Sequence, residues 1–163
     1  MSREVYLLAL GSNRRHHRHG DPQRIVRQAV VELAELGDIA ALSPIIASDP
    51  VGPSDRRFAN AAALLHTDLD PRELLGELKR IERSFGRRRG PRWGARVIDL
   101  DIVLWSGGVV AEPDLMIPHL ELHRRDFVLG PAKAIAPRWR DPISGLTIRQ
   151  LDARLTKRRR APR

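Results

Sequence analysis

Val97-Ile98-Asp99-Leu100-Asp101-Ile102-Val103-Leu104 alternates apolar and polar side chains with the period of two that a β-strand imposes. A strand over residues 97–105 puts Ile98, Leu100, Ile102 and Leu104 on one face, the core face. Asp99 and Asp101 then share the other. Aspartate is a poor strand former, and two like charges one pleat apart repel. The pair is therefore either a solvated strand face or one half of a cation site. Oxygen ligands in a chain without cysteine favour a hard divalent ion such as magnesium.

The preceding stretch, Gly86-Arg87-Arg88-Arg89-Gly90-Pro91-Arg92-Trp93-Gly94-Ala95-Arg96, favours the second reading. A glycine-punctuated loop with five arginines can wrap anionic groups, and arginine holds phosphate in a planar fork. Arginines beside a carboxylate pair describe phosphoryl-transfer chemistry. No Walker-type GxxxxGK[ST] run or glycine-rich kinase loop is present, so a nucleotide would be held by another device.

Further out, Val5 to Leu10 reads as a buried strand ended by Gly11-Ser12-Asn13. Asp21-Pro22 is a cap-and-proline signal opening a helix with Val26, Ala29, Val30, Leu33 and Leu36 on one stripe and Gly37 as its stop. Residues 39–48 read as a second strand and 58–67 as a third, joined by a loop short enough for an antiparallel pair. Asp70-Pro71 with Glu73 is a capping box before the stripe Leu74, Leu78, Ile81, Phe85. Gly107-Gly108 turns the 97–105 strand into a short one near 109–110. Helices are expected at about 127–136 and 148–155. Strand–helix–strand–strand–helix–strand is the order of a ferredoxin-like α+β fold, βαββαβ, with an antiparallel sheet and additional C-terminal helices.

The chain has 163 residues, 42% hydrophobic and 30% charged, which suits one soluble domain over residues 1–156. The absence of cysteine excludes a disulfide framework, a thiolate metal site and a cysteine nucleophile. No apolar run is long enough for a signal-peptide core or a membrane span, which makes the cytoplasm the expected location. The net charge is +9, with 29 basic residues of which only Lys79, Lys133 and Lys157 are lysines. Residues 157–163 carry five positive charges and are expected to be a disordered, solvated tail. His66 and His123 show no partner pattern, and Trp105 and Trp139 read as packing residues. The histidines of Arg14-Arg15-His16-His17-Arg18-His19 read as a solvated loop.

Arg92 to Ile102, Arg-Trp-Gly-x-Arg-x-x-Asp-Leu-Asp-Ile, closely resembles the signature of the 6-hydroxymethyl-7,8-dihydropterin pyrophosphokinase family. The resemblance extends through Leu8-Ala9-Leu10-Gly11-Ser12-Asn13, Pro50-Val51-Gly52-Pro53, Phe58-Ala59-Asn60-Ala61, Arg80-Ile81-Glu82, Ile117-Pro118-His119 and Arg125-Asp126-Phe127-Val128-Leu129-Gly130-Pro131. It implies transfer of pyrophosphate from ATP to a pterin hydroxymethyl group, with release of AMP, in folate biosynthesis. Asp99 and Asp101 would bind two magnesium ions arriving with ATP, and Arg87 and Arg96 would contact the β- and γ-phosphates. Arg89, Trp93, Ile102, His119 and Arg125 would line the ATP site, with Lys79 and Glu82 close by. Asn60 would hydrogen-bond the pterin edge, Phe58 and Phe127 would sandwich the ring, and Ser48 and Val51 would add contacts. The partners implied are these two small molecules, with no nucleic acid, no membrane and a monomeric enzyme. Asp114 and Met116 stand where some members carry basic and hydroxyl side chains.

Two rival functions remain at the level of sequence. A nucleic-acid-binding ferredoxin-like module would use the positive charge, but would need aromatics on a sheet face, and aromatics are 4% of the chain. A metal-dependent nucleotide hydrolase would consume ATP without pterin.

Overall fold

The computed structural model describes residues 3–12, 21–48, 58–86 and 97–161. In chain order the elements are β1 (Glu4–Ser12), α1 (Pro22–Leu33), β2 (Asp38–Leu42), β3 (Ile46–Ser48), β4 (Phe58–Thr67), α2 (Pro71–Gly86), β5 (Asp99–Trp105), β6 (Val110–Glu112), β7 (Leu115–Ile117), α3 (Asp126–Ile135) and α4 (Ile148–Arg160). The main sheet runs β2-β4-β1-β5, with β3 also on β4, and every pairing is antiparallel. With β2 and β3 taken as one interrupted strand, this is the expected ferredoxin-like arrangement.

Both faces of the sheet are covered. Tyr6, Leu8 and Leu10 of β1 and the odd-numbered residues 59–65 of β4 pack with Ile25, Val26, Ala29 and Leu33 of α1 and Leu74, Leu78, Ile81 and Phe85 of α2. Leu7, Ala9 and Ala62 pack on the other side with Leu129 and Ala132 of α3 and Ile148 and Leu151 of α4. The alanines that blur β4 between strand and helix in sequence keep its surface low where α1 and α3 approach.

Four local expectations are corrected. The strand expected over 39–48 is split, because Pro44 lacks an N–H and Ser43 takes over the ladder. Ser43 N–H donates to Ala62 O at 2.9 Å, and its buried Oγ accepts from Ala62 N–H at 2.8 Å. Leu104 does not share the face of Leu100 and Ile102. Leu8 pairs with Ile102 but Leu7 pairs with Leu104, so a bulge at Val103 turns Leu104 into the α3/α4 core. Gly37 lies beyond the end of α1, and a Cβ there would meet His66 O at 2.1 Å, so its role is close backbone approach.

The fourth correction concerns the basic terminus, where α4 continues to Arg160 and residues 157–160 are helical instead of a disordered tail. Cations in a last turn complement the negative end of the helix dipole, and a Thr147–Gln150 capping box fixes the start. The Asp21 cap and the Asp70–Glu73 box are present as expected, with Arg24 N–H on Asp21 Oδ1 at 3.0 Å and Glu73 N–H on Asp70 Oδ1 at 2.8 Å. The short strand expected near 109–110 is β6, paired with β7 in a separate hairpin. Among the described residues, no helix is long and apolar enough to cross a membrane.

Candidate active site

The α3/α4 face is not covered to its end. Where β1 finishes, β4 and β5 begin, and the three strand ends with the start of α3 surround a cavity of about 560 Å3. The register sets its walls: Gly11 lies between Asn60 on β4 and Asp99 on β5, and Ala9 between Ala62 and Asp101. Ile46 pairs with Asn60 from the outer side. A Cβ on Gly11 would stand 3.1 Å from Asn60 Oδ1, so glycine gives the Asn60 amide its space.

Asp99, Asp101, Phe58, Asn60, Arg125 and Phe127 all line this one cavity, although they are spread over 70 residue numbers. Phe58 is 41% exposed and Phe127 45%. Burying a phenylalanine side chain is worth about 1.5–3 kcal/mol, so two half-exposed rings at one opening forgo stability that a ligand can restore. The Arg125 guanidinium lies 5.4 Å from the Phe127 ring centroid, within cation–π range. The described residues thus give the site apolar walls, the Asn60 amide, the Arg125 guanidinium and a carboxylate pair.

His119 and Glu82 stand at the outer edge of β5. His119 N–H donates to Val103 O at 3.0 Å. Its Nδ1 accepts from Glu121 N–H at 3.1 Å, which leaves the neutral ring's proton on Nε2, 3.8 Å from Asp101 Oδ1. Glu82 Oε2 accepts from Leu100 N–H at 3.0 Å. Ile102 is buried in the core opposite the carboxylates, and Lys79 is exposed on α2; neither lines the cavity. Asp114, at the β6–β7 turn, accepts from Arg72 at 2.7 and 3.1 Å. That hydrogen bond holds its carboxyl below the ordinary range, with Lys79 adding to the effect.

Arg87, Arg89, Trp93, Arg96 and Val51, with the 14–19 histidine loop, lie outside the described residues. Ser48 ends β3 opposite Phe58. Gly11, Ile46 and Val128 also line the cavity and were not among the expected site residues. Strand register brings Gly11 and Ile46 there and the start of α3 brings Val128, and glycine and aliphatic side chains carry no chemical signal of their own.

His123, expected to have no partner, places Nε2 3.0 Å from Asp141 Oδ2, and Asp141 is fully buried. Trp105 packs as expected while donating from Nε1 to Glu4 Oε2 at 2.8 Å. Trp139 packs against the α3/α4 core.

Residues 7–137 match the family model described as 7,8-dihydro-6-hydroxymethylpterin-pyrophosphokinase (HPPK). The chain is 40% identical over 145 residues to the 2-amino-4-hydroxy-6-hydroxymethyldihydropteridine pyrophosphokinase of Pseudomonas aeruginosa, covering 87% of this chain and 86% of that one. It is 38% identical over 151 residues to the Methylorubrum extorquens protein of the same name, covering 91% of each. Among solved structures, Plasmodium falciparum HPPK-DHPS superposes with a TM-score of 0.72 at 14% identity, over 96% of this chain. The chain spans under half of that longer protein, 45%, and at this identity the likeness concerns the fold. With the family model matched over most of its length and relatives near 40% identity, the chain belongs to the 7,8-dihydro-6-hydroxymethylpterin-pyrophosphokinase family.

Proposed function

We propose that this pyrophosphokinase transfers the β,γ-pyrophosphoryl group of ATP to the hydroxymethyl oxygen of 6-hydroxymethyl-7,8-dihydropterin, a step of folate biosynthesis. The hydroxymethyl oxygen bonds to the β-phosphorus, the bond from the β-phosphorus to the α-phosphate bridging oxygen breaks, AMP leaves with that oxygen, and the hydroxyl proton passes to solvent. The observation that carries this reading is the convergence of Phe58, Asn60, Asp99, Asp101, Arg125 and Phe127 on one cavity. Phe58 and Phe127 offer faces to a flat heteroaromatic ring, and the Asn60 amide offers a donor and an acceptor to its edge. Arg125 carries fixed positive charge to the phosphate side, and Arg87 and Arg96 are the residues to which the sequence resemblance assigns the β- and γ-phosphate contacts.

Two carboxylates one pleat apart fit magnesium, a hard ion that keeps most of its shell for water and phosphate oxygens. Among the described residues no group of three or more metal-ligating side chains is assembled. When bound, two magnesium ions would neutralise phosphate charge. Asp99 and Asp101 would hold the position, β1 supports β5 from its inner side, and the apolar walls exclude water. Residues 1–156 act as one catalytic unit, monomeric and cytoplasmic in this reading.

The nucleic-acid reading is the less favoured one. A sheet face used for nucleic acid would have to be open along its length, but α1 and α2 cover one face and α3 and α4 leave only the cavity end of the other. The test is AMP formation with magnesium, ATP and pterin. Asp99→Asn and Asp101→Asn should each lose on the order of a thousandfold in turnover, the scale of removing a key electrostatic stabiliser, with thermal unfolding little changed. ATP consumption without pterin would make the protein a hydrolase, and near-normal turnover in either variant would remove the carboxylates from the reaction.

A further inference from the structure

β5 is an edge strand of the sheet, and the carboxylate pair sits in its first three residues. That is the weakest place in a sheet for groups that must be held to a fraction of an ångström. One side of the strand is fixed by β1, with Gly11 opposite Asp99 and Ala9 opposite Asp101. Among the described residues no strand pairs with the other side along Asp99–Asp101, and strand ends fray where backbone hydrogen bonds meet solvent.

The outward N–H between the two aspartates is that of Leu100, and Glu82 Oε2 accepts it at 3.0 Å. Glu82 is well placed to act as a fixed post. Its neighbours on α2, Leu78, Ile81 and Phe85, are buried, so the helix cannot shift without opening the core. An ionised carboxylate accepting an amide N–H makes a charge-assisted bond, about twice as strong as a neutral one. Three residues along, His119 N–H closes the same edge at Val103 O. The outer edge of β5 is thus held where a fifth main strand would have held it.

Placing a third carboxylate near a pair that already repels is unfavourable unless the acceptor is needed there. We propose that Glu82 is a positioning residue for the pyrophosphoryl transfer inferred above, clamping the outer edge of β5 through Leu100 N–H so that Asp99 and Asp101 stay aligned. Its part is the hydrogen bond to the strand, in place of the contact with ATP that the sequence resemblance suggests. A displacement of about 1 Å at a reacting centre can cost roughly a hundredfold, so a clamp of this kind is large enough to see.

The experiment compares Glu82→Met, which keeps the volume and loses the acceptor, with Glu82→Gln, which keeps an acceptor and loses the charge. Both are made in the full chain and assayed for pterin-dependent AMP formation across ATP and magnesium titrations. E82M should lose about 30- to 100-fold in kcat, with the KM for ATP within threefold and the magnesium requirement raised. E82Q should recover to within about threefold of the starting protein. Amide hydrogen exchange at Leu100 should accelerate in E82M and stay slow in E82Q.

A raised KM for ATP with unchanged kcat in E82M would make Glu82 a nucleotide contact and overturn the proposal. So would E82Q as impaired as E82M, or Leu100 exchange unaltered in E82M. Should E82M not fold, a folded E82Q with lost turnover still refutes the clamp. The exchange measurement needs no catalysis, so it separates failure of the clamp from failure of the pyrophosphokinase reading, which would appear as a starting protein that makes no AMP.

Discussion

Gly11→Ala should separate activity from stability in this protein. Gly11 lies inside β1 and is not among the residues with positive φ, so alanine suits its backbone. Glycine within a strand is destabilising by roughly 0.5–1 kcal/mol relative to alanine, so the fold should hold or gain slightly. The obstacle is one atom. Among the described residues, only Asn60 Oδ1 lies within 4 Å of the new Cβ, at 3.1 Å, and ordinary contact begins at 3.4 Å.

The amide must therefore recede by about 0.3 Å, which stretches an N–H···O bond near 2.9 Å towards the edge of its useful range. If Asn60 makes one or two such bonds to the pterin edge, each worth roughly 0.5–1.5 kcal/mol, the loss is about 1–2 kcal/mol. That is roughly 5- to 30-fold in pterin affinity. Isothermal titration with pterin in the presence of a non-hydrolysable ATP analogue reads this directly, with the analogue alone and thermal unfolding as controls. Unchanged pterin affinity in a stable protein would remove Asn60 from the ring edge. Equal weakening of both ligands would mean that the alanine distorts the whole cavity.

Phe127→Ala should weaken pterin binding about tenfold while analogue binding barely changes, since stacking is worth roughly 0.5–1.5 kcal/mol beyond area burial; equal loss of both ligands would make the ring structural. Removing residues 157–163 should leave kcat/KM within a few-fold, because 157–160 are exposed and Leu151 and Leu155, the residues that anchor α4, remain; a hundredfold loss would bring the basic helix end to the nucleotide. Burial pushes the Asp141 carboxyl up, but hydrogen bonds from the Ser144 hydroxyl and the Ile143 and Ser144 amides, with His123 nearby, more than offset this and hold it below the ordinary range. Its contribution to stability is therefore present above the unfolded carboxylate value near 4 and is lost as pH falls through the lower folded value; urea unfolding from pH 5 to 2 should show a shallower acid decline in Asp141→Asn, and an identical slope would refute the assignment.

The polar groups that line the cavity stood out in the sequence because their chemistry is rare in its setting. Two aspartates inside an apolar strand violate strand preference and need a reason, and an arginine loop beside them supplies one. The sheet was readable from plainer signs: β5 alternates with period two, β1 and β4 are apolar runs of strand length, and Asp21 and Asp70 announce their helices with proline. What escaped was every feature in which an ordinary residue acts through a distant partner.

Ser43 replaces a ladder bond only because Ala62 faces it, and Gly37 must be glycine only because His66 passes beneath it. His123 has a partner only because the turn at Asp141 folds back to meet it. The bulge at Val103 is invisible for the same reason, since alternation along one strand says nothing about where the next strand puts its counterpart. The cavity obeys this rule throughout. Its reactive groups announce themselves, whereas Gly11, which makes room for one of them, and Glu82, which holds the strand under two others, become meaningful only when the register brings Asn60 and Leu100 to them. A reading of this family's chemistry from sequence therefore finds the candidate substrate contacts sooner than the residues that would keep those groups in place, and the Gly11 and Glu82 variants address the second class.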